Sequence, residues 1–70
     1  MLIDTGKSIR RAMGYKECTS IELSRKMNIS RQSVYLWRKS TDMSVNKLAE
    51  IANCIDIDFN KMLSMGIDDA

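Results

Sequence analysis

The chain has no proline, no histidine and only three glycines in 70 residues. Proline breaks helices and glycine weakens them, so their scarcity favours a helical chain. The lack of histidine removes the commonest general base and the Cys/His pattern of zinc sites, and no glycine-rich phosphate loop appears. A domain this small also struggles to enclose a pocket. An enzyme is therefore not expected, nor a cofactor, a metal ion or a small-molecule ligand. No apolar run is long enough to span a bilayer, and the opening MLIDTGKSIRR lacks the apolar stretch of a signal peptide. A cytoplasmic location without membrane contact is expected. Cys18 and Cys54 have no motif spacing and are read as reduced thiols rather than a bridge.

What is present is an ordinary globular composition, unevenly charged. Residues 1–48 carry ten lysines and arginines against Asp4, Glu17, Glu22 and Asp42, a balance of +6. Residues 49–70 carry Lys61 against Glu50, Asp56, Asp58, Asp68 and Asp69, a balance of −4. The first part suits a polyanion and the last does not. By itself this asymmetry is equally the mark of a solvated surface.

Five helices can be placed. The first runs from about Thr5 to Tyr15, with Ile9, Ala12 and Met13 at helical spacing, Asp4 or Thr5 as cap and Gly14 as a stop. The second opens with the capping box TSIE at Thr19–Glu22, uses Ile21 or Leu23 with Met27 as its apolar side, and ends at Asn28, which tolerates left-handed backbone. Ser30 caps a third helix from Arg31 to Lys39, so close behind that the pair must cross steeply. Ser44 caps a fourth, striped by Leu48, Ile51, Ala52 and Ile55. Asp58 caps a fifth, with Phe59, Met62 and Leu63 inward. No alternating strand pattern appears, so the fold class is all-α: a single domain over residues 1–66, with the final MGIDDA read as a loose end and a flexible tail at 67–70.

On a wheel of the third helix, Val34 and Trp37 mark the buried side. Gln32, Leu36 and Lys39 point away, flanked by Arg31 and Tyr35. This outward mixture suits base-pair edges: arginine pairs with guanine, glutamine with adenine, and an aliphatic side chain with the thymine methyl. The bland alternative is a polar surface with Leu36 packed against a loop.

TSIELSRKMNISRQSVYLWRKS resembles the helix-turn-helix of the lambda-repressor/Cro-type DNA-binding proteins, and the similarity runs from about residue 7 to 63. Ser24 stands at the small position of the motif's first helix, and Asn28 replaces the usual turn glycine. Ile29, Val34 and Trp37 match the locking apolar positions. LAEIANCIDIDFNKML is similar to the family's usual ending, with Asp56 in place of glycine. The resemblance implies a compact five-helix domain with the motif at about 19–39 and the third helix inserted into the major groove. It implies base contacts from Arg31, Gln32 and Leu36, with Tyr35 beside them and better suited to a phosphate. It implies backbone contacts from Ser20, Lys39, Ser40 and Thr41, and Arg38, a charge on the same edge, and Ser30 are read as further backbone contacts.

Two departures stand out. Ser20 replaces glutamine, which gives an expected weaker clamp. Arg38 replaces glutamate and Met13 replaces its arginine partner, so Arg38 is expected to be freed toward solvent or phosphate. Lys7, Arg10, Arg11 and Lys16 are read as a solvated, steering face. The methionines are core filler, or Met62, Met65 and Ile67 form a subunit contact. Cys54 is an inert thiol and Cys18 a weak candidate redox sensor. The expectation is a sequence-specific duplex-DNA-binding regulator, a Cro-like or autoregulatory repressor of phage or prokaryotic type. Its operator would be two-fold, its homodimer formed through the acidic C-terminal third, and its occupancy set by concentration. The rivals are a protein-interaction module (antitoxin, antirepressor or adaptor) and an architectural binder without sequence choice.

Overall fold

A computed structural model describes residues 3–67, and Asp68, Asp69 and Ala70 of the expected tail lie outside them. The helices are α1 (Thr5–Tyr15), α2 (Ser20–Met27), α3 (Arg31–Lys39), α4 (Val45–Cys54) and α5 (Phe59–Ser64). No strand occurs among the described residues. Every helix opens the same way. Asp4, Thr19, Ser30, Ser44 and Asp58 each accept from the backbone amide three residues on, at 3.0 to 3.3 Å. Each cap satisfies an amide the helix cannot and contributes about 1 kcal/mol. Asp4, not Thr5, caps α1, because the Thr5 hydroxyl is used elsewhere.

Three helices also close alike, and here glycine was the wrong signal. Gly14 lies inside α1; the left-handed residue is Glu17, at φ 53°. Asn28 (φ 56°) and Asp56 (φ 58°) do the same after α2 and α4. In each case the left-handed amide bonds the carbonyl three back, and the next amide bonds the carbonyl five back. The longer bonds are Cys18 to Met13 (2.8 Å), Ile29 to Ser24 (2.9 Å) and Ile57 to Ala52 (3.0 Å). This is the Schellman closure. It sends Cys18, Ile29 and Ile57 back into the apolar interior.

That interior gathers Ile9, Ala12, Met13, Leu23, Val34, Leu48, Ile51, Ala52, Ile55 and Met62, all nearly inaccessible. Leu23 rather than Ile21 faces it; Ile21 is exposed. Trp37, Phe59, Leu63 and Met65 are half-buried against its margin. Met62 is wholly enclosed, so it has no surface to offer a subunit contact. Met65 and Gly66 are tied down rather than loose: Arg11 Nη1 donates to the Met65 carbonyl at 3.0 Å, and the Asp4 amide to that of Gly66 at 3.1 Å.

α1 packs against α3, α4 and α5. Its contact with the end of α3 is backbone on backbone. A Cβ on Gly6 would lie 2.5 Å from the carbonyl oxygens of Arg38 and Ser40. The Thr5 hydroxyl bridges the same place, donating to the Ser40 carbonyl (3.2 Å) and accepting from the Met43 amide (3.0 Å). The guanidinium of Arg10 donates to the Arg38 carbonyl. Arg10 and Arg11 are thus not a merely solvated face: each sits on a carbonyl at the C-terminal end of another helix, where positive charge is favourable.

Candidate nucleic-acid interface

The turn between α2 and α3 is short because Asn28 reverses the chain and Ser30 restarts a helix two residues later. Ile29 is held inward between them. Val34, fully buried, then fixes the roll of α3. With Val34 pointing in, geometry sends the residues on the opposite side outward. Arg31, Gln32, Tyr35, Leu36 and Lys39 are all exposed, Tyr35 at 52% and Leu36 at 57%. The face thus sets an apolar branch and an aromatic ring beside a guanidinium and an amide.

α2 contributes to the same surface. Ser20, Arg31, Gln32 and Tyr35 line one open hollow of about 450 Å³. The structure therefore brings together Arg31 and Gln32, expected at bases, with Tyr35 beside them and Ser20, expected at phosphate. Lys39 Nζ stands 4.3 Å from the centre of the Tyr35 ring, a cation–π contact that holds a positive charge on this face. Ser30 is exposed, and its hydroxyl is occupied in capping, 3.1 Å from that of Ser33. Ser40 and Thr41 follow α3; the Ser40 hydroxyl donates to Asp42 at 3.4 Å and Thr41 is exposed.

At the opening of α2, Thr19 and Glu22 form the expected reciprocal box. The Thr19 amide donates to the Glu22 carboxylate at 3.2 Å, and the Glu22 amide to the Thr19 hydroxyl at 3.1 Å. The bond from the Thr19 backbone, then that from its hydroxyl, holds the Glu22 carboxyl below its usual pKa. By helix geometry the next amides, of Ser20 and Ile21, have no carbonyl within α2.

Arg38 departs from expectation. It is not freed toward solvent: it is half-buried, with Nη1 donating to Ser20 Oγ at 3.0 Å. Trp37 is only half-buried, its ring 5.4 Å from Lys47 Nζ. The cysteines are free, and burial pushes the Cys18 thiol pKa up, the opposite of what a reactive thiol needs. The residues sequence reasoning missed here are Thr5, Gly6 and Arg10, which hold the far end of α3. Their partners are about thirty positions away, and no local pattern signals that.

No helix among the described residues is long and apolar enough to cross a membrane. No curated protein and no solved structure matches the chain. The model of one family does, over residues 8–65, which takes in all of α2 to α5 and most of α1. With that match and a helix pair that turns an arginine, a glutamine and a tyrosine outward beside Ser20, the chain belongs to the family of the Cro/C1-type HTH DNA-binding domain.

Proposed function

We propose that this DNA-binding regulator is a sequence-specific repressor of phage or prokaryotic type that reads duplex DNA with α3 in the major groove. Arg31 and Gln32, in the first turn of α3, pair with base edges; Leu36 meets a thymine methyl; Tyr35 and Lys39 approach the flanking backbone. Ser20, Ser30, Ser40 and Thr41 lie along the phosphate tracks on either side. The carrying observation is the single outward face of α3, completed by Ser20 from α2 around one hollow.

One such domain makes few contacts, so two copies on a two-fold operator, about one helical turn apart, supply the affinity. The acidic C-terminal third, which has no attraction for DNA, is the proposed dimer surface. Selection of bound duplexes from random DNA tests the reading: a two-fold consensus is expected, with affinity falling steeply as salt rises. Recovery of no consensus would mean an architectural binder. Salt-insensitive capture of a protein through Tyr35 and Leu36 would mean an interaction module instead.

A further inference from the structure

Arg38 is placed where three helices meet. Its carbonyl, at the end of α3, accepts from the Arg10 guanidinium on α1. Its own guanidinium reaches back to Ser20, the first residue of α2. The side chain is half-buried, and its enclosed Nε has no partner, so the bond at its tip to Ser20 is what holds it. A residue held in this way does not swing out to a phosphate on its own. Ser20, in turn, has too short a side chain to reach far, but it lines the hollow with Arg31, Gln32 and Tyr35.

The direction of the Arg38–Ser20 bond is fixed by chemistry. A guanidinium has donors only and does not deprotonate, so Ser20 Oγ must accept. A hydroxyl has one proton; with an acceptor site already filled, that proton is available outward. The charge behind the oxygen also polarises the O–H, which strengthens its donation to an anionic oxygen.

We propose that Arg38 is a positioning residue for DNA binding that acts through Ser20, turning the Ser20 hydroxyl into a committed donor toward a phosphate oxygen in the hollow. This rests on the regulator reading above. Arg38 and Ser20 then form one phosphate contact between them.

A double-mutant cycle tests it, with a duplex of mixed sequence as probe, since phosphate contacts do not depend on sequence. Dissociation constants are measured over a range of salt for the wild type, Ser20→Ala, Arg38→Ala and the double variant, with thermal melts alongside. Each single change is expected to weaken binding roughly tenfold, as for a hydrogen bond to a charged group, and to leave the salt slope nearly unchanged, because Ser20 carries no charge and Arg38 spends its own on Ser20 rather than on a phosphate. The double variant is expected to match the weaker single. Losses that multiply to about a hundredfold, with a slope lower by about one wherever Arg38 is removed, would make Arg38 an independent phosphate contact and overturn the proposal. So would an Arg38→Ala that binds like the wild type. If Arg38→Ala does not fold, Arg38→Met, which keeps the buried stem and has no donor for Ser20, replaces it in the same cycle. A wild type without salt-dependent affinity for duplex would sink the regulator reading and this proposal together. Failure of coupling in a protein that binds would sink only the proposal.

Discussion

The two ends of α3 are built on opposite plans. Its C-terminal end is gripped from outside the helix. Gly6 lets α1 press on the carbonyls of Arg38 and Ser40, Thr5 bridges Ser40 to Met43, and Arg10 holds the Arg38 carbonyl. The N-terminal end is held by Val34 beneath it and by its own cap, Ser30, while Arg31, Gln32 and Leu36 are exposed beside Tyr35, whose ring meets Lys39 of the same helix. The difference teaches how a short helix is made into a probe. Anchoring one end by backbone contact fixes its direction, so the other end can be left bare without losing its place. A nine-residue helix has little stability of its own, so its packing against α1 and α2 does most of the holding.

The most damaging way to break this contrast is to add one carbon at the anchored end. Gly6→Ala must push α1 away from two backbone oxygens that cannot yield as a side chain would, and about 3 kcal/mol of stability should be lost. Chemical denaturation measures it; an unchanged midpoint would mean that the two helices are not in contact there. At the bare end the effect should fall on binding and spare the fold. Arg31→Ala is expected to cost about 1–3 kcal/mol at one base pair of each half-site, with an unaltered melting temperature. Equal loss on all sequences would count against base reading. Ser30→Ala, at the same end, removes the cap and should cost about 1 kcal/mol of stability. A thermal melt that does not move would show that α3 starts well without it.

The smallest effect concerns α2, to which the anchored end is tied through Ser20. Glu22 has a pKa below its ordinary value of 4.5 because Thr19 donates to its carboxylate. A lowered folded-state pKa gives stability that is present above the unfolded value and is lost as pH falls through the folded one. The melting temperature of Glu22→Gln should therefore lie slightly below that of the wild type near neutral pH and converge with it in acid. A gap that widens in acid would contradict the capping box.

Much of the local structure was legible in the residues. Thr19, Ser30, Ser44 and Asp58 cap their helices because a short polar side chain there reaches the third amide on, and nothing distant enters that bond. The outward set Arg31, Gln32, Tyr35 and Leu36 follows from helical periodicity once Val34 is buried. Legibility failed where a partner is remote. Arg10 and Arg11 look like solvated charges until the carbonyls of Arg38 and Met65 arrive beside them. Arg38 looked free because the usual pair of a glutamate here with an arginine in α1 is absent, Met13 standing for that arginine, whereas the partner of Arg38 is a hydroxyl on α2. Gly14 drew the helix stop because glycine is the usual left-handed residue, yet Glu17 takes that conformation and two closing hydrogen bonds offset its strain. Glu17→Gly is accordingly expected to raise stability by about 1 kcal/mol, read as a higher denaturation midpoint.

The order of residues alone settled where α2 to α5 begin, which side of α1, α3, α4 and α5 is apolar, and that an arginine and a glutamine share the first turn of α3. Those features depend on neighbours within a turn or so, and short-range sterics and hydrogen bonding decide them. Folding in three dimensions decided which helix end is clamped, that Arg38 spends its guanidinium on Ser20, and that Met62 is sealed inside. Those outcomes need groups far apart in the chain to meet, and only close packing around a shared interior brings them within bonding distance.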